Sequence, residues 1–136
     1  MTDLPLPVPS ELTRPYWDAA KRGELAFQRC SACRSAFLYP RPLCPVCWAP
    51  DPKWEIASGD ATISSFSVVH QAPYPSYAAR VPYVVAVVAL LEGPQLMANV
   101  VGCDPDDVHV GMDVVVTFEE RGELSIPQFS PVEKTA

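Results

Sequence analysis

Hydrophobic positions are distributed differently in the two halves of the chain. Beyond residue 60, runs of Val, Ile, Phe and Tyr alternate with Gly- and Pro-bearing breaks. β-branched and aromatic residues fit a pleated, half-buried surface, so the runs predict strands at Thr62–Gln71, Tyr83–Leu91, Gln95–Val101, Asp113–Glu120 and Leu124–Phe129. The weakest of these is Gln95–Val101. Glu92-Gly93-Pro94 and Arg121-Gly122 supply tight reversals. Asp104-Pro105-Asp106-Asp107 supplies a turn or a single helical turn. Five strands joined this way predict a small antiparallel barrel, because closure removes exposed edges. An open sandwich satisfies the same periodicity. The longest apolar run, Val84 to Leu91, is far below the ~20 residues that cross a bilayer.

The front of the chain has one helical pattern. Thr13 is placed to cap it, Pro15 suits its first turn and Gly23 its end. Tyr16, Trp17 and Ala20 share a face that packs either on the protein's own core or on a partner. Nine of the sixteen prolines precede residue 55. Pro5, Pro7 and Pro9 predict an extended arm. Pro40, Pro42, Pro45, Pro50 and Pro52 argue against long regular elements in their region. The composition shift puts a boundary at Ser58-Gly59-Asp60. This divides the chain into an arm and helix (1–24), a proline-rich module (25–58) and a strand-rich domain (59–132).

That proline-rich module carries the clearest chemistry. Cys30-Ser-Ala-Cys33 and Cys44-Pro-Val-Cys47 form two C-x2-C pairs ten residues apart. Two intervening residues let one tight turn aim both sulfurs at a point, and two such turns complete a tetrahedron of thiolates suited to Zn2+. Iron of the rubredoxin type is the competing metal. A redox C-x-x-C opens a helix in a βαβ unit, and none is visible. Four thiolates fill the coordination shell, so the metal is expected to be structural, supplying local folding energy. The fifth cysteine, Cys103, reads as a half-buried structural thiol. His70 and His109 have no catalytic partner in sequence.

Charge narrows the function. Residues 1–54 hold seven basic and five acidic groups, net +2, whereas residues 55–136 hold three and eleven, net −8. Polyanion binding depends on Lys and Arg replacing counterions, so the acidic half argues against nucleic acid. A single-strand nucleic-acid binder remains the alternative reading, since barrels of this size use aromatic platforms. Asp3, Glu11 and the absence of a basic apolar leader predict a cytoplasmic location and no membrane association. The loop Ala72–Val81 carries Tyr74, Tyr77 and Arg80. Trp48 and Trp54 flank the cysteine turns. All are residue types enriched where proteins meet partners, and Arg80 is a candidate phosphate contact.

In order and spacing, the segments GELAFQRCSAC, YPRPLCPVC, SGDATISSFSVVHQAP, VPYVVAVVALLEGPQLMANVVG, VGMDVVVTF and PQFSP, with Tyr16-Trp17 ahead of them, resemble the DUF35-type proteins over residues 10 to 131. Arg34, Trp48 and Ala61 stand where that family often has Gly. The resemblance implies an N-terminal helix, a rubredoxin-like zinc ribbon on Cys30, Cys33, Cys44 and Cys47, and a C-terminal OB-fold. It also implies a subunit that is not an enzyme by itself. Such a subunit joins a thiolase-like enzyme, or in some cases a MaoC-type hydratase, in a hetero-oligomer. There it acts in acyl-CoA cleavage, condensation or acyl transfer. Arg80 is then a contact for a CoA phosphate, and Tyr16, Trp17, Trp48, Trp54, Tyr74 and Tyr77 are partner-binding candidates.

Overall fold

A computed structural model describes residues 6–132. Pro5 of the expected arm, and Asp3, lie outside the described residues. Helix α1 (Arg14–Lys21) has Pro15 in its first turn. Thr13 stands at its N-cap without a side-chain cap bond. Its hydroxyl instead accepts from the Ser10 backbone N–H at 2.8 Å, tying the incoming arm to the helix. Gly23, at φ +80°, ends the helix. The N–H groups of Gly23 and Glu24 reach back to the carbonyls of Ala20 and Ala19, both at 2.9 Å. This paired closure satisfies carbonyls a helix end leaves orphaned.

Three short strands, β1 (Ala26–Arg29), β2 (Ala36–Phe37) and β3 (Lys53–Ile56), form a sheet in the order β2-β1-β3. They fall in the segment where prolines argued against long elements, and none exceeds four residues. Beyond Gly59 run β4 (Asp60–Val69), β5 (Tyr83–Leu90), β6 (Gln95–Val100), β7 (Asp113–Arg121) and β8 (Leu124–Pro131). They close into a barrel in the order β4-β5-β6-β8-β7, with β7 returning to β4.

The expectation of a wholly antiparallel barrel needs one correction. β6 and β8 are parallel where Val100 meets Phe129. A closed ring of five strands has an odd number of neighbour pairs, so directions cannot alternate all the way round. One parallel contact is unavoidable.

β5 shows why periodicity could not orient it. Its sequence YVVAVVAL is apolar throughout, yet Val84, Ala86, Val88 and Leu90 are buried while Tyr83, Val85, Val87 and Ala89 stand half-exposed outside. The inner set meets Ile63, Leu96, Val100, Val114 and Phe129 in one core. That core also takes in Tyr16, Leu25, Phe27 and Leu38, so helix, small sheet and barrel share a single apolar interior. β4 carries a bulge between Ile63 and Ser65, which lets the strand bend round the barrel.

Candidate metal centre

The sequence between β1 and β3 folds as two copies of one turn. In the first, the Cys30 N–H bonds to the Ser35 carbonyl at 2.9 Å and the Arg34 N–H to the Cys30 carbonyl at 3.0 Å. In the second, Cys44 pairs likewise with Ala49, and Trp48 with Cys44, both at 2.9 Å. Each turn aims two backbone N–H groups at its leading sulfur. Ala32 and Cys33 point at Cys30 Sγ at 3.3 and 3.4 Å, and Val46 and Cys47 at Cys44 Sγ at 3.3 and 3.5 Å. Such donors stabilise thiolate charge. Arg34 (φ +69°) and Trp48 (φ +67°) adopt the left-handed conformation that lets the chain leave each turn.

The four sulfurs lie within 4.8 Å of one another, with Cys30 and Cys47 at 3.5 Å and Cys33 and Cys44 at 3.6 Å. A zinc–sulfur bond of ~2.3 Å in a tetrahedron puts its sulfurs roughly 3.8 Å apart. The cluster therefore has the dimensions of a Zn2+ site, and all four ligands come from protein. Cys30 and Cys44 are buried, while Cys33 and Cys47 face solvent. The Ser35 hydroxyl, 3.3 Å from Cys33 Sγ, draws that thiol down to about 6.

Gln28 holds the module's proline segment in place. Buried in β1, its side-chain amide accepts from the Arg41 N–H at 2.8 Å and donates to the Arg41 carbonyl at 3.2 Å. A lone Gln in a four-residue strand gave no sequence signal for this clamp.

The other candidates separate by environment. Tyr16 is buried in the shared core, with Trp17 against it edge-to-face at 4.9 Å. Trp54 is half-buried against the same core. Trp48 is 75% exposed and Tyr74 55%. Tyr77 stacks toward both Tyr74 (6.3 Å) and Tyr83 (5.5 Å). Arg80 grips Glu119 with both terminal nitrogens at 2.7 and 3.3 Å. The pair raises the Arg80 guanidinium above its usual value and holds the Glu119 carboxyl below the usual carboxylate range. Glu119 also accepts from Gln128 at 2.8 Å and lies 3.5 Å from Arg121. The sequence showed Arg80 but not this network, whose members sit on three separate elements. Cys103 is half-buried, and its thiol is pushed up by burial and by the charges of Asp107 and Asp104. His70 and His109 are exposed.

Two family models match this architecture: the ChsH2 rubredoxin-like zinc ribbon domain over residues 17–53 and the ChsH2 C-terminal OB-fold domain over residues 54–119. A "DUF35 domain-containing scaffold protein" of Methanocaldococcus jannaschii is 34% identical over 113 residues, covering 77% of this chain and 79% of that protein. The chain belongs to the DUF35 family. Its four-cysteine centre is accordingly the structural zinc site of a rubredoxin-like ribbon. A "Probable enoyl-CoA hydratase alpha subunit" of Thermomonospora curvata is 40% identical over 117 residues, 85% of this DUF35 chain. The chain spans only 36% of that relative's length. Among solved structures, a chain of "Ltp2-ChsH2(DUF35) aldolase" superposes with a TM-score of 0.82 at 38% identity, covering 93% of this chain and 98% of that one. Among the described residues no helix is long and apolar enough to cross a membrane.

Proposed function

We propose that this DUF35 chain is a non-catalytic scaffold subunit that docks a thiolase-like enzyme acting on acyl-CoA thioesters. The observation that carries the reading is the superposition, along almost its whole length, on a chain of an aldolase assembly that is itself described as DUF35. The relative named as a hydratase alpha subunit points to the same metabolic neighbourhood and suggests a MaoC-type hydratase as a second partner.

The site's chemistry supports a scaffold. Four thiolates occupy every position of a tetrahedral zinc, leaving none for water or substrate. The metal thus shapes a surface rather than activating a bond. Trp48 and Tyr74 present exposed aromatic area to a partner, and Tyr77, half-buried, packs beside Tyr83. Tyr16, inside the core, contributes by holding α1 rather than by contact. A CoA phosphate reaching Arg80 has to compete with the Glu119 carboxylate already bound to it.

Co-expression with a thiolase-like enzyme from the same source organism tests the reading. The expected result is a zinc-containing complex that co-elutes on gel filtration, with enzyme activity that falls when this chain is omitted. An enzyme that is soluble and fully active alone, and never co-purifies, overturns it.

A further inference from the structure

A hollow of about 560 Å3 opens on the outer face of the barrel, where β5, β4 and β7 lie side by side. Strand register builds it. Thr62 of β4 lies opposite Ala89 of β5 on one side and Asp113 of β7 on the other. Side chains alternate across a strand, so Ala61 and Val114 turn into the core while Asp60, Thr62 and Asp113 share the outer face. The small side chains of Ala89 and Thr62 leave the depression. Leu91, 73% exposed, stands beside Asp60, whose carbonyl takes its N–H at 2.9 Å. Val132, 43% exposed, stands beside Asp113, whose carbonyl takes its N–H at 3.2 Å. Asp60 and Asp113 are diagonal neighbours, a spacing of ~7–8 Å. The Asp113 side chain accepts from the Thr62 hydroxyl at 3.4 Å. Among the described residues neither carboxylate forms an ion pair, and no basic residue lines the hollow. Arg80 and Arg121, the cations of the described barrel, are both drawn to Glu119.

We propose that this hollow is a docking face on which the partner enzyme seats a basic side chain beside an apolar one. The charged head lies between Asp60 and Asp113, and the apolar neighbour covers Leu91 and Val132. Charge complementarity selects this occupant. Whatever covers the hollow strips water from two carboxylates, and an ionised group desolvated without a partner is costly. A wholly apolar surface leaves that cost uncompensated. An anion adds repulsion to it, in a half of the chain that already carries net −8. A cation offsets it. The rims call for more than a bare charge, because large apolar residues this exposed, set among polar ones, mark surfaces that meet a partner. Leu91 is nearly as exposed as Trp48. The volume lies within the ~300–1,000 Å3 of sites that bury a compact group. This inference rests on the scaffold reading and names a face through which it operates.

Surface plasmon resonance of the zinc-loaded chain against a thiolase-like enzyme from the same source organism tests the face. The double variant Asp60→Asn/Asp113→Asn is expected to weaken association about tenfold, and Leu91→Ser about tenfold. Asp60, Asp113 and Leu91 are all exposed, so zinc content and Tm are expected to stay at the wild-type values. Wild-type association is expected to weaken as NaCl rises from about 50 to about 500 mM, and most of that dependence to be missing from the double variant. A double variant with wild-type affinity and salt dependence overturns the assignment, and so does an unchanged affinity for Leu91→Ser. Tighter association of the double variant means that the carboxylates repel their occupant, which overturns it as well. A chain that dimerises alone on gel filtration, and becomes monomeric in the double variant, makes a second copy the occupant and removes the enzyme. If the wild-type chain binds no enzyme, the scaffold reading falls and this face with it. If wild type and variants all bind alike, the face falls and the scaffold reading stands.

Discussion

Gly59 joins the zinc ribbon to the barrel, and replacing it with Ala separates two costs. The residue sits at φ +92°, where an L side chain is strained by about 1–2 kcal/mol. An added Cβ also falls 2.8 Å from Val116 Cγ1, with the Val115 Cγ2 atom 4.0 Å behind. Val116 is β-branched and stiff at χ1, and it packs against the core. The backbone cannot retreat either, because the Val116 N–H donates to the Gly59 carbonyl at 2.9 Å. Overpacking of this kind costs about 1–3 kcal/mol. The total is roughly 2–5 kcal/mol, or a Tm lowered by about 8–20 °C at ~4 °C per kcal/mol for a domain near this size. Gly93→Ala is the control. Gly93 has φ +116° and nothing within 4 Å of its Cβ position, so it carries the backbone cost alone. Urea unfolding of the two variants, at matched m-values, reads the difference as the clash. A Gly59→Ala no less stable than Gly93→Ala refutes the reasoning. So does a Gly59→Ala/Val116→Ala double variant that recovers nothing of that difference.

Other outcomes follow from the ribbon and the charge network. Cys44→Ser removes a buried ligand from a module whose residues 30–50 hold only a two-residue strand and the Leu43–Pro50 bridge. With ~10–16 kcal/mol of metal binding compromised, the amides of Ala32, Cys33, Val46 and Cys47 should exchange freely in deuterium while Val88 and Val114 stay protected. Protection retained at the turns counts against a folding role for zinc. Glu119→Gln should cost ~1 kcal/mol near neutral pH, a modest figure because Arg80 is 42% exposed. Since the folded state lowers the Glu119 pKa, its stabilisation is complete above the unfolded carboxyl value and is lost as pH falls through the folded one. The gap between wild type and variant should therefore close in acid, and a gap that persists at low pH denies the pair. Trp48→Gly relieves a left-handed residue that is 75% exposed, so thermal stability should rise by about 1 kcal/mol while partner affinity falls. A loss of both makes Trp48 a packing residue.

Local patterns made much of this fold legible. The two C-x2-C pairs announce the zinc tetrahedron because each turn needs only its own few residues. The barrel strands were visible because β-branched runs and their breaks are local too, and their starts at Tyr83, Gln95, Asp113 and Leu124 coincide with the structure. What the sequence hid is nonlocal. β1, β2 and β3 are too short and too close to prolines to show a period. The inner and outer faces of β5 are chemically alike. Arg80, Glu119 and Gln128 meet only because a loop folds across β7 and β8, and a spacing of thirty-nine residues between the first two leaves no imprint. Tyr16 and Trp17 showed a shared face without showing whose core would receive it.

The position of β8 between β6 and β7 has a consequence for how this chain is made. Until residues 124–131 leave the ribosome, β6 has an unpaired rim and Phe129 is missing from the interior. At ~5–20 residues per second, the roughly thirty residues between Val100 and Pro131 leave a half-built sheet waiting about 2–6 seconds. The metal turns, complete by Ala49, can already have taken up zinc by then. A cell short of zinc and a cell short of chaperones should thus spoil this protein at different moments of its synthesis. The first fault leaves a loose front end on a sound barrel, and the second an open apolar rim free to stick to its neighbours.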